Sequence, residues 1–481
     1  MVSVFAAAAV VALGVGTVAA SGAGRAAARR VGGAGMAIGV AEDAAKQPTL
    51  AAAKAKMDLA RRAGFAAVRV TEIWDRGESA PSRAALTALQ NAAAAARLDG
   101  LRLMVAIFND RAANTPLTAG DRSQFTQFAA AIVKAVPGVS DFVVGNEPNN
   151  NLFWMPQFNA DGSDAAASAY EALLAASYDA IKHIRPSARV FGGALAPRGG
   201  DNPAAGKPTH SPTSFITDLG AAYRASGRTA PIIDVFDLHP YEDNSSVPPS
   251  FDHPNSTTIS VPDYPKLVSL LGRAFDGTAQ PGSTLPIVYG EYGVESLVPP
   301  AKLPLYTGSE PSTTHPVDEP TQGAYYVQAM KVAYCQPNVV GLMLFHVSDE
   351  PSLAGWQSGV YYTDDTPKSS LPIVRQGIAA AAAGALTSCP DTTLPQVTLT
   401  SPANGSTVSG VVTLTATAAD NVGIDRVEWL VDGNEIGYSA VPPYTFNWQT
   451  QATGTQTVTA RALDAARNTA TSSATVTVAN G

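Results

Sequence analysis

The stretch Val143-Val144-Gly145-Asn146-Glu147-Pro148-Asn149 decides how this chain is read. A short apolar run stops at a turn, and a glutamate follows. A second stretch has the same form, Ile287-Val288-Tyr289-Gly290-Glu291-Tyr292-Gly293. Runs of this kind, alternating with amphipathic helices, read as strands of a parallel sheet buried on both faces. In a closed barrel, a glutamate at the end of such a strand points into the mouth, where active sites sit.

Outward from these two stretches the pattern repeats from Gly35 to about Ala385. The other strand candidates are Met36–Val40, Ala67–Thr71, Leu101–Phe108, Val190–Ala194, Ile232–Leu238 and Val340–Phe345. Between them, apolar residues recur at three- and four-residue spacing, as in Leu50–Ala63, Ser82–Arg97, Tyr264–Phe275 and Leu371–Leu386. Eight strand–helix units over roughly 350 residues predict a (β/α)8 TIM barrel with long loops. A doubly wound open sheet is the alternative fold. Against it, Gly32-Gly33-Ala34-Gly35 precedes the first strand and lacks the spacing of a dinucleotide loop.

The helical pattern stops after Ala385, and residues 389–395 read as a linker. Beyond it, Val397–Thr400, Val411–Ala416, Val427–Val431, Tyr444–Trp448, Val458–Leu463 and Ala474–Val478 alternate Thr, Val and Ala between turn signals. Six or seven short strands in under about 90 residues predict an all-β sandwich. Asp420-Asn421-Val422-Gly423, Val427-Glu428-Trp429-Leu430-Val431-Asp432-Gly433 and Pro443-Tyr444-Thr445-Phe446-Asn447-Trp448 resemble bacterial immunoglobulin-like modules. Trp429 and Trp448 are read as sandwich core, with a sugar platform as the alternative.

The division predicted is therefore a signal peptide and flank over 1–30, the barrel over 31–388, the linker, and the sandwich over 396–481. Val4 to Ala20 is apolar, and Val18-Ala19-Ala20-Ser21 has the form of a small-residue cleavage site. A secreted, extracellular protein is expected, with no stable membrane insertion, since no later run is long enough to span. The net charge of -8 argues against a nucleic-acid partner. Cys335 and Cys389 suggest one disulfide in such a chain, two free thiols being the alternative.

The chemistry is sought at the two glutamates. Retaining hydrolysis of a glycosidic bond needs two carboxyl groups about 5–5.5 Å apart, one to protonate the leaving oxygen and one to attack the anomeric carbon. The fourth and seventh strands lie on roughly opposite sides of a barrel mouth, so Glu147 and Glu291 can face each other across it. The chain has no His-Glu-x-x-His zinc motif and no Gly-x-Ser-x-Gly elbow, and its two cysteines are too few for structural zinc. Neither a metal nor a cofactor is expected.

With Asn146-Glu147-Pro148 on one strand and Glu291 on another, the barrel resembles glycoside hydrolase clan A, including the cellulase-like families 5 and 39. The resemblance implies an oligo- or polysaccharide substrate, Glu147 as acid/base, Glu291 as nucleophile and Asn146 on the sugar 2-hydroxyl. It implies that Arg69, in Ala67-Val68-Arg69-Val70, keeps the nucleophile ionised. It also matches His239-Pro240-Tyr241 to the family's His-x-Tyr, with Tyr241 bonding Glu291. Many members carry a tryptophan at the end of the eighth strand; here Phe345-His346 stands there, and the nearest is Trp356. Trp74, Phe153, Trp154 and Trp356 fall in loops after strands, as sugar-stacking rings or as loop packing. Asp234 and Asp237, beside the sixth strand, are read as structural. A non-catalytic carbohydrate-binding or surface-adhesion protein is the alternative function.

Overall fold

The computed structural model describes residues 35–479. The expected signal segment, residues 1–30, lies outside the described residues. Eight parallel strands close into a barrel in chain order. They are β1 (Ala37–Ala41), β2 (Ala67–Ile73), β3 (Arg102–Phe108), β4 (Asp141–Val144), β5 (Arg189–Leu195), β6 (Val235–Leu238), β7 (Ile287–Tyr292) and β8 (Val339–Phe345). The helices that follow them are α1 (Leu50–Ala63), α2 (Arg83–Asp99), α3 (Ala119–Ala135), α4 (Ala166–Ile184), α5 (Pro212–Ala225), α6 (Tyr264–Phe275), α7 (Glu319–Tyr334) and α8 (Leu371–Ala382).

Local chemistry sets the helix ends. The Ser82 side chain accepts from the Ala85 amide at the start of α2, and Gly100 closes that helix at φ 67°. Ala67, Met104, Ala106, Val143, Phe191 and Val288 belong to one compact cluster inside the barrel. The opposite faces of the same strands pack on the helices. Ala41 pairs with both Arg69 and Phe345 as β1 closes on β2 and β8, which sets those two residues at one level near the rim.

The largest departures from the sequence reading are at β6 and β7. Ile232 and Ile233 lie outside β6, because their amides donate to Gln280 Oε1 at 2.8 and 3.0 Å instead of to a ladder. β7 runs on to Tyr292, so Glu291 lies on the strand, whereas Glu147 stands on a turn beyond β4.

The C-terminal part is all-β. Its strands are β9 (Gln396–Ser401), β10 (Thr407–Val408), β11 (Val411–Ala419), β12 (Ile424–Val431), β13 (Asn434–Ser439), β14 (Tyr444–Gln449), β15 (Gly454–Asp464) and β16 (Thr469–Val478). They form one sheet in the order β10-β16-β15-β12-β13 and another in the order β14-β11-β9. The sequence pattern misses β10 and β13; β13 lacks an apolar alternation and has no buried residue. Trp429 and Trp448 are core, at 0% and 6% exposure.

The sandwich packs on the barrel along a polar seam. Ser250 Oγ donates to the Ile424 carbonyl, and the Asp252 amide donates to Asp425 Oδ1 at 3.0 Å. Arg426 and Arg467 both pair with Asp252, and Lys331 of α7 donates to the Asn421 carbonyl at 2.7 Å. Val422 joins the barrel's own apolar cluster. Cys335 and Cys389 are joined by a disulfide with Cα atoms 5.3 Å apart, which ties the chain before β9 to the end of α7. Among the described residues, no helix is long and apolar enough to cross a membrane.

Candidate active site

The site begins at the turn after β4. Gly145 adopts φ 88°, and a Cβ there would stand 2.7 Å from the Tyr170 ring. Tyr170 Oη, reaching in from α4, donates to the Val144 carbonyl at 2.7 Å and accepts from the Gly193 amide at 2.9 Å. The chain then turns at Glu147, whose φ is 40°, a left-handed conformation that non-glycine residues seldom hold. Its amide donates to the Ala194 carbonyl at 2.7 Å. Asn149 secures the same turn by bonding both the carbonyl and the amide of Ala196, at 3.1 and 2.9 Å.

These restraints aim the Glu147 side chain into the mouth, where Asn150 Nδ2 donates to Oε2 at 2.9 Å. His239 follows β6 and is fully buried. Its Nδ1 lies 3.2 Å from Glu147 Oε1 and 3.6 Å from Glu291 Oε2, so those two oxygens are within about 7 Å of each other. Glu291 is held from three sides. Arg69 pairs with Oε1, Tyr241 Oη donates to Oε2 at 3.1 Å, and His239 faces Oε2. Arg69 Nη2 also donates to Asn146 Oδ1 at 3.4 Å.

Burial works against a charge on Glu291, but His239, Arg69 and the hydrogen bonds from Arg69 and Tyr241 outweigh it. Its carboxyl therefore sits below the usual glutamate range. Burial likewise pulls His239 down, yet Glu291, Glu147 and Asp237 lift it above the ordinary imidazole value. Tyr241 is pushed well up, first by burial and then by the two glutamates, so it remains a donor. Asp237 lies beneath the site, fully buried, with no hydrogen-bond partner for either oxygen. Burial pushes it up to about 6 against the pull of His239 and Arg69.

Above these groups opens a cavity of about 490 Å³. Trp356, Tyr241 and Phe345 form an aromatic wall, with Trp356 centred 5.0 Å from Tyr241 and 5.2 Å from Phe345. Trp356, from the loop after β8, thus packs edge-on against Phe345 at the end of that strand. His346 faces Glu350, with Nε2 3.4 Å from Oε1.

The structure therefore brings Arg69, Asn146, Glu147, His239, Tyr241, Glu291 and Trp356 to one cleft. It does not bring Trp154 there. Trp154 is 1% exposed and meets Tyr170 edge-on at 5.7 Å, so it packs behind the Glu147 turn, while Phe153 lines the cleft. Trp74 is also core, edge-on to Phe125. The sequence reading assigned nothing to Asn150 or Glu350. Asn150 sits three residues after Glu147, where a turn brings the side chain back, and that spacing is the signal that could have found it. Outside the cleft, Asp391, Asp420 and Asp464 place carboxylate oxygens within 4.8 Å of one another. Each of the three accepts backbone amides of its own turn.

Residues 395–460 match the family model of a bacterial Ig domain. No curated protein sequence matches the chain. Among solved structures, a family 39 glycoside hydrolase from the gut symbiont Bacteroides cellulosilyticus aligns over 86% of this chain and 79% of its own. Its identity is 17% and its TM-score 0.51. A glucosidase from Croceicoccus marinus aligns over 89% of this chain and 76% of its own, at 13% identity and TM-score 0.52. A Bacteroides uniformis β-glucuronidase aligns over 93% of this chain but 46% of its own, at 13% identity and TM-score 0.44. At such identities the first two likenesses speak to the fold, a parallel eight-stranded barrel, and the third carries no argument.

Proposed function

We propose that the chain is a retaining glycoside hydrolase that cuts a β-linked glycan by double displacement. Glu147 serves as acid/base and Glu291 as nucleophile. One observation carries this reading: the unequal company of the two carboxylates. Glu291 is held by Arg69, Tyr241 and His239, which stabilise the anion that must attack. Glu147 is met by His239 and Asn150 and has no arginine beside it, the company that suits an acid/base rather than a nucleophile. The 7 Å limit on their separation accommodates the about 5–5.5 Å of double displacement and leaves little of the wider inverting range.

In the first step Glu147 gives its proton to the glycosidic oxygen, the C–O bond breaks, and a Glu291 oxygen bonds the anomeric carbon. In the second, Glu147 takes a proton from water, whose oxygen displaces Glu291. Asn146, oriented by Arg69, is placed to bond the sugar 2-hydroxyl. The neighbours described as a family 39 glycoside hydrolase and a glucosidase support the class. An extracellular setting suits the disulfide and a polysaccharide substrate.

The test is Glu147→Ala on an activated aryl β-glycoside. The first step should survive, since a good leaving group needs little proton, and the glycosyl-enzyme should accumulate. Azide should restore turnover and yield the β-glycosyl azide. Azide rescue with retained configuration in a Glu291 variant instead would exchange the two roles. An α-azide from Glu147→Ala would end the retaining assignment.

A further inference from the structure

A second cavity, of about 430 Å³, opens on the seam between the β6–α6 loop and strands β12 and β13. One wall of it is aromatic. Phe251 of the barrel and Tyr438 of the sandwich stack with ring centroids 6.1 Å apart and planes at 27°. Tyr438 is nevertheless 54% exposed. An open aromatic face among polar groups supplies both things a sugar ring requires: apolar surface to lie on and partners for its hydroxyls.

His253 points the same way independently. It is only 7% exposed, and Ser260 and Asp263 hold its Nδ1 at 3.1 Å each. Its Nε2 has no hydrogen-bond partner and lies 3.7 Å from Asp243 Oδ2, and both residues line this cavity. A buried polar atom in that state has hydrogen-bonding capacity that the protein leaves unused, one side chain's movement from the cavity.

The charges narrow the class of ligand. Arg426 is occupied by Asp252, Asp425 and Glu428. Glu428 is paired again by Arg461, and Asp243 faces Arg198 at 3.2 Å. An anion entering here meets an arginine already matched, and a metal cation meets carboxylates already matched. An uncharged polyhydroxylated ligand disturbs none of these pairs.

The loop also joins the two cavities. Tyr241 bonds Glu291 and lines the cleft, and Asp243, two residues later, lines the seam cavity. Two residues of chain span at most about 7 Å. We infer that the seam cavity is a second glycan-binding site, holding neutral sugars of the same strand whose bond is cut at Glu147 and Glu291. This rests on the glycosidase reading, and it makes the sandwich part of substrate recognition.

The experiment compares wild type with Tyr438→Ala and Tyr438→Trp. Cellohexaose, mannohexaose and xylohexaose serve as long probes, and 4-nitrophenyl β-glycosides as probes that fill only the cleft. For the hexasaccharide that is cut, Tyr438→Ala should raise KM about five- to tenfold, the size of one lost stacking contact. Kinetics on the aryl glycoside should stay unchanged, and Tyr438→Trp should restore the hexasaccharide KM. An unchanged hexasaccharide KM overturns the inference, and so does an equal loss on the aryl glycoside. If no probe is cut, the glycosidase reading fails by itself, and calorimetric titration with the same hexasaccharides then decides the site. Binding lost in Tyr438→Ala upholds it; equal binding, or none to wild type, overturns it.

Discussion

At the mouth of the barrel Glu147, Asp237 and Glu291 surround Arg69 and His239. At the seam Asp252, Asp425 and Glu428 surround Arg426, Arg461 and Arg467. Both networks take charge out of water, yet they close differently. Among the described residues, the six seam side chains leave no buried atom without a hydrogen-bond partner. The mouth leaves Arg69 Nε, His239 Nε2 and both oxygens of Asp237 without one. At the seam burial pushes Asp425 up to about 8, whereas at the mouth Glu291 is held below the usual glutamate range. A network that satisfies itself serves structure. One that leaves polar atoms without partners has capacity that structure alone does not use.

The comparison is broken most directly at Arg69. Arg69→Gln should lower kcat/KM by about 10²-fold, the usual scale for losing a group that steadies charge in the reaction. It should also move the acid limb of the pH profile. With Arg69 present, Glu291 ionises below the usual glutamate range, so activity persists as the pH falls through that range. Without it, only His239 and Tyr241 oppose burial, protonation occurs at higher pH, and the limb should rise by about one unit. A limb that does not move would leave Arg69 a merely structural partner.

At the seam the expected loss is of stability alone. Asp425→Ala takes one carboxylate from Arg426 and Arg467, which keep Asp252, and leaves the buried Asp252 amide without its acceptor; it should cost about 1–3 kcal/mol, read as a lower guanidinium midpoint. Turnover of an aryl glycoside per folded molecule should not change. If it falls in step with stability, the two networks are one and the contrast collapses.

The smallest effect sharpens the mouth. Asp237 titrates at about 6 in the folded protein, above the ordinary aspartate value of about 3.9. A raised carboxyl contributes stability that is full below the unfolded value and lost as the pH rises through the folded one. Asp237→Asn has no such loss. Between pH 4 and pH 8 the stability difference between the two proteins should therefore shift by about 2 kcal/mol toward the variant. A difference independent of pH would mean that Asp237 stays ionised throughout.

Much of the barrel was legible because a strand buried on both faces writes itself as an uninterrupted apolar run, as Val143-Val144 and Ile287–Tyr289 do. The residues that end such runs were legible for the same reason, and Glu147, Glu291, Arg69 and Tyr241 are all placed at one cleft. Side-chain direction within a loop was not. Phe153 and Trp154 are adjacent and aromatic, and only the turn geometry decides which faces the cleft. The seam was hidden more deeply. Residues 389–395 look like a free tether because nothing in them records that Val422 packs into the barrel's apolar cluster or that Asp252, far upstream, pairs with Arg426. Strand β13 was unreadable because its polar residues alternate with nothing buried.

Tyr170 has a mechanical consequence. Its hydroxyl spans the ends of β4 and β5, while its ring lies against Trp154 on one flank and Phe215 of α5 on another. It is a strut between the outer ring of helices and the turn that carries Glu147. An outward displacement of α4 or α5 pulls on that strut, and the strut pulls on the Val144–Gly145 hinge. The turn that carries Glu147 is therefore braced from behind and open to load applied at the back of the barrel. Anything that leans on α4 from outside, a neighbouring molecule or a surface, acts on Glu147 through one phenol ring.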